Sequence, residues 1–131
     1  MRQNLLLLVF PLLWLSCTRQ PAALTQIQQQ RTGDYVVILL SSTGTLKQRS
    51  NSLALEFHNP TTNELVTVSN VRIQATMRMP GTGPMLANLS SPQQTTPGRY
   101  TFDADFSMAG QWAFLVTFDP NGRVQFNLSA Q

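Results

Sequence analysis

Three stretches near the end of the chain alternate apolar and polar residues without a break, and no other feature constrains the fold as strongly. RYTFDADF (99–106) sets Tyr100, Phe102, Ala104 and Phe106 against Thr101, Asp103 and Asp105. QWAFLVTFD (111–119) gathers Trp112, Phe114, Val116 and Phe118 on one side, and VQFNLSA (124–130) gathers Val124, Phe126 and Leu128. A period of two sends successive side chains to opposite faces of a strand, so each stretch offers one face to a core and one to water. A helix would scatter the same residues around its circumference. Between the last two stretches, PNGR (120–123) contains Asn-Gly, a two-residue hairpin signal.

The preceding segments follow the same rule. DYVVILLSS (34–42) is a continuous apolar, β-branched run that suits a strand buried on both faces, and SLALEFH (52–58) puts Leu53, Leu55 and Phe57 on one face. NPTTNE (59–64) has turn residues. LVTVSNVRIQATMRM (65–79) predicts one long strand, with Val71, Ile73, Ala75, Met77 and Met79 opposite Arg72, Gln74, Thr76 and Arg78. Pro80 ends its ladder, and the loop-rich stretch 81–98 has room for one short strand near 85–90. The sequence therefore predicts an all-β fold, a single immunoglobulin-like antiparallel β-sandwich of six or seven strands. The single cysteine, Cys17, excludes an intrachain disulfide, so the aromatic core must hold the sheets together.

The N-terminal stretch follows different rules. MRQNLLLLVFPLLWLSC begins with Arg2 and continues into an apolar run from Leu5 to Leu15, then Ser16 and Cys17. Such a run suits a signal-peptide core and falls short of the roughly 20 residues a membrane span needs. WLSC resembles the lipobox of bacterial lipoproteins, which implies that residues 1–16 are a signal peptide and that Cys17 is lipidated and becomes the new N-terminus. Ordinary secretion with a free thiol is the alternative. Thr18 follows the cysteine, and by resemblance to the sorting rule of enterobacterial lipoproteins it favours the outer membrane. Residues 17–32, rich in Gln and containing Pro21, read as a tether from the lipid to a domain over 33–131, with a short helix over 22–31 as the alternative.

Without residues 1–16 the chain keeps eight basic and six acidic residues, a net charge of +2. The basic residues are scattered and not interleaved with aromatics, which argues against nucleic acid as a partner. Charged residues are only 11% of the chain, so Ser, Thr, Asn and Gln must cover the surface.

Four elements in order resemble the YtkA-like and FixH-like extracytoplasmic domains. The early strand is followed by Asn51 with the Leu53/Leu55 strand, then by a segment MPGTGPM (79–85), and last by Gly98, Tyr100, Phe106, Met108, Gly110 and Trp112. The resemblance covers about residues 33–128. It implies a small β-sandwich of the cell envelope, on the periplasmic face, anchored to a membrane. It also implies copper or heavy-metal handling, or help in assembling respiratory oxidases. The MPGTGPM segment departs from the family's "MP.M" pattern, with Thr82 in place of the second methionine and Pro84 in place of a histidine.

Methionine thioethers are soft, neutral ligands suited to Cu(I). Met79 at a strand end, Met85 beyond a Gly/Pro loop and Met108 before Trp112 are the candidate ligands. The same side chains also suit gap-filling at sheet ends, and Met77, on the face of Val71 and Ile73, reads as core. His58 precedes Asn59-Pro60 and reads as an exposed turn residue. Asp103 and Asp105 share one strand face and read as solvated, and GTG (81–83) lacks the following helix of a phosphate loop. With one histidine and no locatable nucleophile set, the chain does not read as an enzyme. The sequence thus predicts a lipid-anchored, non-enzymatic envelope accessory protein. It would bind copper or another soft metal, or assist metalloprotein assembly beside a partner such as an oxidase or metal-efflux component. The alternative is a lipid-anchored β-sandwich interaction module with no metal site.

Overall fold

Every apolar face expected from the alternation turns inward in the computed structural model, which describes residues 23–131. The expected signal peptide over 1–16, Cys17 and the first residues of the expected tether lie outside the described residues. Ten strands form two antiparallel sheets, and no helix occurs among the described residues. The strands are β1 (Thr25–Thr32), β2 (Tyr35–Ser41), β3 (Arg49–His58), β4 (Arg72–Met77) and β5 (Met85–Leu86), then β6 (Asn88–Leu89), β7 (Gln93–Thr96), β8 (Arg99–Phe106), β9 (Gly110–Phe118) and β10 (Gly122–Ala130). One sheet runs β1-β2-β3-β8-β6, and β7 also pairs with β8, so two short strands share one edge of β8. The other sheet runs β10-β9-β4-β5. Seven of the strands have six or more residues; six of them, β2, β3, β4, β8, β9 and β10, fall in stretches read as strands from the sequence, and β1 is the seventh.

The core lies between the sheets. Trp112, Phe57, Phe106, Phe114 and Phe126 are at most 1% exposed. The aromatic rings gather at two levels. Phe57 meets Phe118 at 4.9 Å and Tyr100 at 5.9 Å, while Phe106 meets Trp112 at 5.1 Å and Phe114 at 5.6 Å. Such tilted and edge-on pairs add about 0.5–1.5 kcal/mol each beyond the area they bury. They fasten the sheets where a disulfide is lacking. Tyr100 also donates its hydroxyl to the Val68 carbonyl at 2.5 Å.

Besides the three short strands β5, β6 and β7 that stand where one was expected in 81–98, the structure departs from the sequence reading in three places. First, residues 25–32 are not tether. They form β1, which pairs along its length with β2 from Thr25↔Ser41 to Thr32↔Tyr35. An edge strand needs little apolar surface, so Ile27 packs against the core while the Gln and Arg positions around it stay polar. Second, residues 65–79 are not one strand. Leu65 bridges to His58 in the first sheet, Val66 donates to the Phe57 carbonyl at 2.8 Å, and the chain then crosses to the second sheet. Asn70 turns it there with φ 53°, a left-handed conformation that asparagine tolerates. Gly98 lies against this crossing, where a Cβ would stand 2.9 Å from the Val66 carbonyl oxygen. Third, the β9–β10 hairpin is longer than Asn-Gly implies. Gly122 already pairs with Phe118, and residues 119–121 make the loop. The glycine is required there because a Cβ at 122 would sit 2.2 Å from the Phe118 ring.

Candidate functional site

The β4–β5 hairpin and the β8–β9 corner bring three methionines to one end of the second sheet. Register sets Met77 of β4 directly opposite Met85 of β5. Met85 is half-buried, and its sulfur accepts a hydrogen bond from the Ser107 hydroxyl at 3.0 Å. Ser107 carries Met85 to the residue beside Met108, which is 41% exposed. The Met108 carbonyl accepts the Trp112 indole N–H at 3.1 Å, and this fixes the corner onto the core. Met77 is buried and its methyl group lies against Gly110, where a Cβ would come within 2.9 Å. Met79, one pleat beyond Met77, is half-buried and lines a groove of about 420 Å³ with Thr76, Arg78, Thr82 and Pro84.

Chemically the corner is a set of neutral sulfur donors with one hydroxyl. That set fits a soft monovalent cation and not a hard one, which would need charged oxygens. Met85 and Met108 are the members with a route to solvent. Met79 shares its groove with the Arg78 guanidinium, whose charge opposes a cation there. Among the described residues no group of three or more His, Cys, Asp and Glu side chains stands together to hold a metal.

His58 is not the exposed turn residue that its sequence context suggests. Its side chain is 13% exposed, with Nδ1 at 3.0 Å from the Asn63 carbonyl and Nε2 at 3.3 Å from Glu56 Oε2. Arg99 donates through Nη2 to both Glu56 oxygens, at 3.2 and 3.3 Å. Glu56 is 7% exposed at the centre of the sheet. Both ring nitrogens of His58 face acceptors, so the ring can donate to both only when it carries both protons. The sequence signal for this cluster was the spacing of Glu56 and His58, two residues apart on one strand face. Arg99 arrives through the β3–β8 register, Glu56↔Arg99. Asp103 and Asp105 are exposed, as the alternation predicts, and border a polar groove of about 580 Å³ with Ser50, Ser52, Asn88 and Lys47.

An all-β sandwich with an aromatic core and a thioether-rich corner defines a small antiparallel β-sandwich domain. The YtkA-like family profile matches residues 30–117, and the chain belongs to that family. Among curated proteins, none matches it.

Proposed function

We propose that the chain is a lipid-anchored, non-enzymatic accessory protein of the bacterial cell envelope. Its methionine corner takes up Cu(I), or serves the assembly of a metalloprotein such as an oxidase or a metal-efflux component. Membership of the YtkA-like family supports the accessory role. The observation that supports the metal reading is the Ser107 hydrogen bond to the Met85 sulfur, which brings Met85 to the residue before Met108, with Met77 opposite in the ladder. Thioethers need no deprotonation, so such a corner would bind without releasing protons. Cys17 supplies the anchor in this reading, and the only imidazole is already engaged with Glu56 and Asn63.

The experiment is a Cu(I) competition titration of residues 18–131. Met85→Leu/Met108→Leu is expected to weaken binding and Met77→Leu to leave it intact, since leucine keeps the volume and removes the sulfur. No measurable Cu(I) affinity in the unmodified protein would retire the metal reading. One observation favours the second reading, an interaction module without a metal. The Met85 sulfur already has a partner in Ser107, and Met77 is packed in the core.

A further inference from the structure

The outer face of the second sheet has an unusual charge pattern. Register aligns Arg72, Thr117 and Arg123 in one row across β4, β9 and β10. The next rows put Gln74 and Gln125 around Leu115, then Thr76 and Asn127 around Ala113. Arg78 closes the far end, lining a groove of about 430 Å³ with Gln111 and Asn127. The outward positions of these three strands therefore carry arginines, amides, hydroxyls, one Ala and one Leu, and none is a carboxylate. Both ion pairs among the described residues belong to Glu56 on the other sheet. Asp119 stands at the rim beside Arg72 and Arg123, and its carboxylate accepts from the Asn70 amide.

The other sheet's outer face mixes signs, with Glu56, Asp103 and Asp105 along β3 and β8 beside Arg99 and Arg31. The two broad faces of the sandwich are thus electrostatically distinct. The arginine face spans about 10 Å across three strands and about 20 Å from Arg72 to Arg78. Guanidinium groups pair with phosphate oxygens, and amides and hydroxyls donate to the oxygens between them. A sugar chain would want an aromatic ring to stack on, and the aromatic side chains of β9 and β10 all point into the core.

We propose that this face docks flat on a membrane surface of anionic phospholipids, its three arginines paired with headgroup phosphates. The docking goes beyond the metal reading and does not require the lipid on Cys17. It would set which broad face an anchored protein turns to the membrane and leave the mixed-charge face and the methionine corner to other contacts.

The test is co-sedimentation of residues 18–131, which contain all ten strands and lack Cys17, with vesicles of phosphatidylcholine alone or with 40% phosphatidylglycerol. Arg72→Gln/Arg78→Gln/Arg123→Gln is compared with Arg31→Gln/Lys47→Gln/Arg49→Asn, which removes the same charge elsewhere. Asparagine is used at 49 because φ there is 76°. Each basic residue near an anionic surface contributes about fivefold, so the first triple should lose about a hundredfold in binding to anionic vesicles. The control should lose far less in about 0.15 M salt, where charges more than about 8 Å from the surface are screened. Neutral vesicles should not bind. Absence of binding to the anionic vesicles overturns the proposal, as does an equal loss in both triples. Retention on an anionic polysaccharide without vesicle binding would give the face to a glycan and also overturns it. Failure of Cys17 lipidation, read separately by labelling, leaves these outcomes unchanged.

Discussion

Replacing Trp112 with alanine tests the packing logic of the sandwich at its largest side chain. Trp112 is 1% exposed, lies 5.1 Å from Phe106, and ties the β8–β9 corner through its indole N–H to the Met108 carbonyl. A buried tryptophan removes up to about 250 Å² from water. At about 25 cal/mol per Å² that is about 6 kcal/mol. Residual burial in the denatured chain and the surface alanine still buries reduce it, while the cavity left behind adds to it. The expected loss is about 3–5 kcal/mol, a large share of the stability of a small domain. Trp112→Phe keeps a ring beside Phe106 and loses the hydrogen bond at an exposed corner that water can reach, so it should cost about 1–2 kcal/mol. The assay is a urea titration of residues 18–131 followed by far-UV circular dichroism, with an unchanged slope showing that the denatured state is the same. A loss below about 1 kcal/mol for Trp112→Ala would refute the reasoning, because no residue of that size and burial can be removed so easily.

Cys17 is expected to incorporate a palmitate analogue in metabolic labelling, and Cys17→Ser to abolish it; equal labelling of the two would remove the anchor. A chain beginning at residue 33 should unfold at a clearly lower urea concentration than one beginning at residue 18, because loss of β1 strips the ladder from β2 and uncovers Ile27's neighbours in the core. Matching midpoints would return residues 25–32 to the tether. Glu56→Ala should cost about 1–3 kcal/mol, since Arg99 and His58 would face a gap in a buried position. Thermal unfolding measures it, and an unchanged midpoint would reduce the cluster to a surface contact.

The core was legible because alternation is a strong signal wherever one face is apolar and the other polar. Tyr100 to Phe106, Trp112 to Phe118 and Val124 to Leu128 carry it in full, and their inward faces are those of the structure. β1 was hidden for the opposite reason. Its burial is shallow, Ile27 alone signals a core, and a bulge between Gln26 and Gln28 breaks the period there. The crossing at 65–71 was hidden because Val66 and Val68 look like strand residues, while Val66 pairs with the first sheet and a left-handed Asn70 turns the chain before β4 begins in the second. Of the candidate site, the clustering of methionines near the β4 end followed from their spacing. The contact between Met85 and Ser107 did not, because it depends on how two hairpins from different parts of the chain meet. The Glu56–His58–Arg99 cluster needed the β3–β8 register, which single-strand periodicity does not supply.

The divided edge of β8 bears on how this protein behaves at high concentration. A long, even strand edge invites a second molecule to add its own strand and so begin a fibril. Here β6 and β7 cover β8 in two short pieces of two and four residues, with a register shift inside the second. β5, at the limit of the other sheet, also has only two residues. Neither border offers an incoming chain enough consecutive free amides and carbonyls to zip along. At the opposite end of the first sheet, the charge of Arg31 and the bulge in β1 interrupt the template. The remaining border, β10, runs nine residues in unbroken register with β9 and is bridged only at its end by Leu46, so it is there that copies crowded together would add a strand.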